Sequence, residues 1–270
     1  DVAREFTPVE TPVGAVYVRE KLERFAPQPR PASAGTPASV VIVGGGGAGH
    51  AAAEALRHEG YSGRITMLSA DQALPCDRPK LSKGFLAGSA PEESVPLRPA
   101  EFYRNHDIGL KCNARVTGID TASRHVLLAD GSRHGYDALL LATGAEPVQL
   151  DVPGADLPHV HTLRTLADSR AIVATAAMSK RAVVIGASFI GLEVAASLRA
   201  RNLEVHVVAP DAIPMERVLG AEAGAFIRKL HEKHGVTFHL GTTAVSIDGQ
   251  GVTLKTGEHL DADLVVVGIG

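Results

Sequence analysis

The chain has 270 residues, 45% of them hydrophobic, and a formal net charge of −3. That length allows one large or two ordinary domains with a sizeable core. The near-neutral charge gives no case for nucleic acid or an anionic membrane as partner, and no apolar run reaches the roughly 18 residues of a membrane span.

The two cysteines, Cys76 and Cys112, form neither a C-x-x-C nor a zinc pattern, and a reducing, cytoplasmic setting is expected. Twelve histidines are scattered without ligand spacing. His231 and His234 share one helix face, but Glu232 and Lys233 beside them read as a solvated surface, so no metal site is expected.

In chain order, Val16-Tyr17-Val18 reads as a strand. Residues 26–38 are rich in Pro, Ala and Ser and read as an extended linker. Residues 1–38 are therefore expected to be the tail of an upstream domain with its tether. The stretch from Ser39 to Asp71 follows the pattern strand, glycine turn, helix, strand, acid. Its apolar run Val40–Val43 leads into Gly44-Gly45-Gly46-Gly47-Ala48-Gly49, then an alanine-rich segment, then Ile65–Leu68. Gly44, Gly46 and Gly49 fit G-x-G-x-x-G, and Asp71 closes the unit. This is a dinucleotide fingerprint in its required context. Gly44 allows the tight turn, Gly46 lets backbone approach a pyrophosphate, and Gly49 lets the helix pack close. The helix N-terminus offers unpaired N–H groups to phosphate.

The loop Leu74–Lys83 carries Arg78 and Lys83, two cations on the side where a dinucleotide would lie. Pro99–His106 reads as a helix. Short strands are expected around Leu110, at Ala114–Ile119, at His125–Leu128 and at Ser132–His134, with Asp130-Gly131 turning the last pair. Ala138–Leu141 reads as a buried strand that ends in Ala142-Thr143-Gly144, a turn small enough for backbone to touch a ligand.

The pattern then repeats. Arg181–Ile185 is a strand, Gly186-Ala187-Ser188-Phe189-Ile190-Gly191 a second glycine turn, Leu192–Arg201 a helix and Leu203–Val208 the next strand. Glu222–His234 is amphipathic, and Ala225, Phe226 and Leu230 are expected in the core. Asp263–Gly270 reads as a buried strand that runs into a glycine turn, the mouth of a nucleotide site formed by Gly268 and Gly270. The fold class is α/β, with two Rossmann-like units on one chain.

Two dinucleotide units, the Ala-Thr-Gly turn and the terminal Val-Gly-Ile-Gly resemble the pyridine nucleotide:flavin oxidoreductases. Pro75-Cys76-Asp77-Arg78-Pro79-Lys80-Leu81-Ser82-Lys83 resembles a loop of the ferredoxin reductases of oxygenase systems and of apoptosis-inducing-factor-like proteins. Gly186–Glu193, Pro214–Gly220 and Val16–Leu22 resemble the Rieske-associated branch, similar to apoptosis-inducing factor 3.

The resemblance implies an FAD-binding domain at 39–148, an inserted NAD(P)-binding domain at 149–268, and a return to the FAD domain from 269. It assigns Gly44, Gly46, Gly47, Ala48 and Gly49 to the FAD pyrophosphate and Asp71 to its adenosine ribose. Arg78 and Lys83 fall on flavin-contacting positions, and Val116 on the adenine position. Ala142, Thr143, Gly144 and Arg164 fall on the FAD side of the crossover. Gly186, Ser188, Ile190 and Gly191 would line the NAD(H) or NADP(H) pyrophosphate, with Phe189 and Glu193 beside the nicotinamide. Lys83, Glu193 and Phe189 take the catalytic positions, Lys83 and Glu193 as a buried ion pair.

The implied activity is electron transfer from NAD(P)H through flavin to an iron–sulfur acceptor, either a Rieske centre or a ferredoxin. A [2Fe-2S] cluster would belong to an upstream domain. A homodimer is among the partnerships expected. The alternatives are a redox-sensing flavoprotein, and a disulfide or peroxide reductase that would need a cysteine beside the flavin.

Three departures from the family stand out. Ala209-Pro210 occupies the place of the usual ribose-binding acid, and Asp211 comes two residues late. Cys76 replaces a tyrosine. The Gly-Asp segment that closes the flavin site has no counterpart, so a C-terminal part is expected beyond Gly270.

Overall fold

The structure, a computed structural model, describes residues 35–269 together with the backbone of two antiparallel strands, Phe6–Glu10 and Val16–Lys21. Most of the linker, residues 26–34, and Gly270 lie outside the described residues.

Val40–Val43 is apolar at every position and is buried throughout, which suits a strand covered on both faces of a parallel sheet. The sheet around it has the order Ile108–Lys111, Arg64–Leu68, Ser39–Val43, Ala138–Leu141, all parallel. The crossover helix Gly47–His58 buries small residues, Gly49 and Ala53, against that sheet. A three-stranded antiparallel sheet, Val116–Asp120, His125–Leu128 and Arg133–Gly135, covers the other face through Val126 and Leu128.

The second unit repeats this plan. Its sheet has the order Val160–Thr162, Leu264–Val267, Arg181–Ile185, Glu204–Ala209, Val236–Leu240, again all parallel. Phe189–Ala200 is its crossover helix. Ala244–Ile247, Gly251–Leu254 and His259–Asp261 form its antiparallel sheet. In both units, the strand after the antiparallel sheet returns beside the first strand.

The segment after Arg64–Leu68 leaves its own unit. Leu81, Leu86 and Val95 share one buried core with Leu192, Ala195 and Leu198 of the second crossover helix. Ser169 Oγ donates to the Leu81 carbonyl at 2.8 Å. The two units are thus joined by apolar packing as well as by chain.

The helix Ala221–Lys233 differs from expectation. Phe226 is 67% exposed and Leu230 is also exposed, while Gly224 is the buried residue of that helix. Gly224 approaches Pro214 so closely that a Cβ would lie 2.3 Å from its carbonyl oxygen, and this contact rotates Phe226 outward. His231 is the other correction. Its ring packs edge-on to Phe238 at 6.2 Å, and burial holds its pKa below the ordinary histidine value. Among the described residues, no group of three or more His, Cys, Asp or Glu is arranged to hold a metal ion, and no helix is long and apolar enough to cross a membrane.

Candidate functional site

Each first strand ends in a glycine with positive φ, Gly44 at +126° and Gly186 at +116°. A Cβ on Gly44 would lie 2.0 Å from the Ala142 carbonyl oxygen, and one on Gly186 would lie 2.5 Å from that of Gly268. A Cβ on Gly49 or Gly191 would meet the carbonyl of Gly44 or Gly186 at 2.0 or 2.1 Å. Only glycine fits at these four positions, for the same reasons in both units. Neither helix carries a side-chain cap: Gly46 has none to offer, and Ser188 turns its hydroxyl to the Gly268 carbonyl at 3.2 Å. Both helix N-termini therefore present backbone N–H groups outward, the arrangement that binds phosphate.

The first turn opens into a cleft of about 700 Å³, within the size range of small-molecule sites. Gly44, Gly46, Gly47, Ala48, Asp71 and Val116 line it. Ala142, Thr143 and Gly144, packed beside the Gly44 turn, also line the cleft, as do Arg78 and Arg164. Gly49 lies beneath the turn, buried against Gly44. The two guanidinium groups converge on Gly144, where a Cβ would meet Arg164 Nη2 at 3.0 Å and Arg78 Nη1 at 3.8 Å. Burial first, and then the neighbouring Arg164, disfavours the charge on Arg78. Arg164 Nε is buried without a hydrogen-bond partner. Two cations side by side, one with an orphaned donor, fit an anionic ligand. The cleft thus suits the diphosphate of FAD.

Arg164 is placed by a device not read from the sequence. Thr165 Oγ1 accepts from the Asp168 amide at 3.2 Å, and Asp168 Oδ2 accepts from the amides of Arg164 and Thr165 at 2.9 and 2.7 Å. This capping box starts the helix Leu166–Ala176 and fixes the backbone of Arg164 at the cleft. Its signal, Thr-x-x-Asp before an apolar run, stands in the sequence at Thr165–Asp168.

The second turn places Gly186 and Gly191 below and Ser188 at the mouth, with Phe189 and Ile190 exposed on the first helical turn. Gly268 closes on it: a Cβ there would lie 3.0 Å from the Cα and the amide nitrogen of Gly191. Gly270 lies outside the described residues.

Lys83 and Glu193 do meet, Nζ to Oε1 at 3.0 Å. Their side chains are 55% and 27% exposed, so the pair is partly solvated instead of buried. Ser82 Oγ donates to the other carboxylate oxygen at 2.6 Å. Ser82 is a further residue that sequence reasoning missed.

Asp211 also finds its place through the repeat. In the first unit the Asn113 amide donates to the Asp71 carbonyl at 2.9 Å and the Ala114 amide to the Ser69 carbonyl at 2.7 Å. In the second, Gly241 donates to Asp211 at 3.3 Å and Thr242 to Ala209 at 3.2 Å. Asp211 therefore occupies in the second unit the backbone position that Asp71 occupies in the first. Its carboxylate pairs with Arg217 at 2.8 Å.

Cys76 and Cys112 are both free and half-buried. Burial first, and then Asp71, pushes both thiols up.

Residues 38–270 match the family model described as pyridine nucleotide-disulphide oxidoreductase. The chain is 44% identical over 237 residues to rhodocoxin reductase of Rhodococcus erythropolis, covering 86% of this chain and 56% of that one. It is 39% identical to human apoptosis-inducing factor 3, covering 86% and 38%. Among solved structures, the ferredoxin reductase for the CYP199A2 system from Rhodopseudomonas palustris matches with a TM-score of 0.82 and 41% identity, covering 86% of this chain and 58% of that one. The chain thus spans about half the length of these relatives. With two glycine turns of one geometry and a family match over most of its length, this chain belongs to the pyridine nucleotide-disulphide oxidoreductase family, in its ferredoxin reductase branch.

Proposed function

We propose that the whole protein is an FAD-dependent NAD(P)H oxidoreductase that passes electrons to an iron–sulfur protein. One observation carries the reading: the two glycine turns have the same geometry, and Lys83 and Glu193 bridge the units that bear them. When bound, FAD would supply the step from two-electron hydride chemistry to one-electron transfer.

The residues of this chain bind and orient. Gly44, Gly46, Gly47 and Ala48 hold the diphosphate at the first helix N-terminus, and Asp71 takes the adenosine ribose. Val116, Ala142, Thr143, Gly144 and Arg164 line the rest of the cleft, with Arg78 neutralising anionic charge. Gly186, Ser188, Ile190, Gly191 and Gly268 receive the second nucleotide. Phe189, exposed at the turn, screens the nicotinamide site, and Lys83 with Glu193 sets the charge where the rings meet. Alignment of the two rings supplies most of the rate.

The coenzyme is NADH, with Asp211 accepting from the ribose hydroxyls as Asp71 does for FAD. The acceptor is a ferredoxin or a Rieske [2Fe-2S] centre; the name of the ferredoxin reductase supports the former, and the resemblance of Gly186–Glu193 and Pro214–Gly220 to the Rieske-associated branch the latter. A cytoplasmic homodimer completes the proposal. A disulfide reductase is not favoured, because both thiols are pushed toward the protonated form and a thiolate is the nucleophile.

The test is the visible spectrum of the full-length protein and its change when NADH is added under argon. Bleaching of a flavin band, reversed by a one-electron iron–sulfur acceptor, is expected. A colourless protein that NADH leaves unchanged would overturn the reading. A flavin that NADH reduces, with no turnover of any one-electron acceptor, would favour the redox sensor.

A further inference from the structure

Glu193 is held at both carboxylate oxygens by consecutive residues, Oε1 by Lys83 and Oε2 by Ser82. A Ser hydroxyl has one hydrogen to donate. Its two acceptors are Glu193 Oε2 at 2.6 Å and the Pro79 carbonyl at 3.3 Å, and the shorter, charge-assisted bond takes it. The backbone under this contact is held as well. Ser197, one turn along the same helix from Glu193, sends its hydroxyl toward the carbonyls of Ser82 at 2.6 Å and Lys83 at 3.3 Å. Ser82 is 5% exposed and Ser197 4%. A single face of the second unit's helix therefore grips the Ser82-Lys83 dipeptide by side chain and by main chain.

This grip answers a physical difficulty. A lysine more than half exposed, facing a carboxylate in partly aqueous surroundings, is poorly held, because the pair's modest attraction competes with the rotamer freedom of two long side chains. With Oε2 occupied by Ser82, the carboxylate cannot turn, and Oε1 presents one fixed acceptor to Lys83. We infer that Ser82 and Ser197 are positioning residues that fix the direction of the Lys83 ammonium toward the second nucleotide. The inference rests on the proposed function, in which Lys83 and Glu193 border the flavin. It adds two buried hydroxyls, neither of which lines the first cleft, to the apparatus of hydride transfer.

The variants are Ser82→Ala and Ser197→Ala in the full-length protein as purified. The first readout is acetylation of Lys83 by acetic anhydride, followed by mass spectrometry, with Lys80 as internal control. Lys80 is held separately, by the Ser94 carbonyl at 2.6 Å and Asp77 at 3.6 Å. Lys83 should become several-fold more reactive in both variants while Lys80 does not change. The second readout is flavin reduction by NADH, which should slow about tenfold at saturating coenzyme with KM within about twofold, the signature of lost alignment without lost binding. Wild-type Lys83 reactivity in Ser82→Ala would overturn the inference. A rise shared equally by Lys80 would also overturn it, since that reports a loosened loop. If the wild-type protein takes no FAD or is not reduced by NADH, the functional reading falls, and the acetylation comparison still decides whether the hydroxyls position Lys83.

Discussion

Lys83 and Glu193 meet at 3.0 Å across the junction of the two units, the lysine between the short helices Arg78–Ser82 and Gly84–Ala87 and the acid on the crossover helix of the second. Their exposure decides what the contact is worth. A buried pair would cost several kcal/mol to break, but a partly solvated one contributes about 0.2–1 kcal/mol. Lys83→Ala should change stability by less than about 1 kcal/mol, and Glu193→Ala, which also removes the acceptor of the buried Ser82 hydroxyl, by about 1–3 kcal/mol, yet both should slow flavin reduction tenfold or more. The double variant should lose less than the sum of the two. Strictly additive losses in stopped-flow reduction would count against the pair acting as a unit.

Asp211 gives a second prediction. In Asp211→Asn the ribose loses an ionised acceptor, and kcat/KM for NADH should fall about tenfold, about 1.4 kcal/mol. NADPH should be affected less, because a 2′-phosphate gains from removing the negative charge. Steady-state kinetics with both coenzymes checks this. A wild-type preference for NADPH by tenfold or more would instead assign the site to Arg217, which already stands 2.8 Å from Asp211.

The glycine turns should tolerate no side chain. Gly44→Ala and Gly186→Ala combine an unfavourable φ with a Cβ at 2.0 or 2.5 Å from a backbone carbonyl oxygen of the facing loop. The facing atoms are backbone, so they cannot swing away. A loss of roughly 3 kcal/mol or more is expected for each. Gly35→Ala, where no atom of the described residues lies within 4 Å, should cost far less despite its own positive φ. Chemical denaturation of the three variants compares them directly. Equal stability of Gly44→Ala and wild type would show that the turn can shift.

Acid should destabilise the fold before its carboxylates titrate. His50, His161 and His231 are all held below the ordinary histidine value, and burial is the largest cause in each. For His50, Glu54 opposes that effect from 3.3 Å, while Tyr103 Oη lies 3.1 Å from its other nitrogen. The neutral ring with its hydrogen on Nε2 satisfies both neighbours. Below the unfolded-state pKa of about 6.5 the unfolded chain binds protons that the folded chain resists, so stability rises with pH through this window. The contribution is present above about 6.5 and lost as pH falls below it. Tm should therefore drop between pH 7.5 and 5.5, and less so in His231→Gln. An unchanged Tm across that range would refute the account.

The sequence made the repeated units legible because each glycine has a steric reason written locally, in strand, turn and helix signals a few residues apart. Lys83 and Glu193 could be paired only through resemblance, since nothing local links a loop in one unit to a helix in the other. Phe226 was misread for a similar reason. Its spacing with Leu230 fits an amphipathic helix, but the helix is turned by Gly224 pressing on Pro214, a contact periodicity does not see. Asp211 looked two residues late when counted from Val208. Only the paired amides of Gly241 and Thr242, set against those of Asn113 and Ala114, show that the backbone carries it to the place of Asp71.

The return of each last strand beside its first has a consequence for how the chain is made. Ser39 and Asp137, hydrogen-bonded at the start of the first such pairing, are 98 residues apart in sequence. Parallel pairings of such separation close slowly, because loop entropy is lost before the contact rewards it. The carbonyl of Ala142 that shapes the Gly44 turn arrives with that late strand. During synthesis at about 5–20 residues per second, the glycine segment must then wait several seconds, at the least, for its facing wall to emerge. Nucleotide capture at the first glycine turn should thus follow the arrival of that strand, so that a dinucleotide in the surrounding solution traps chains in which it has paired and leaves earlier forms unselected.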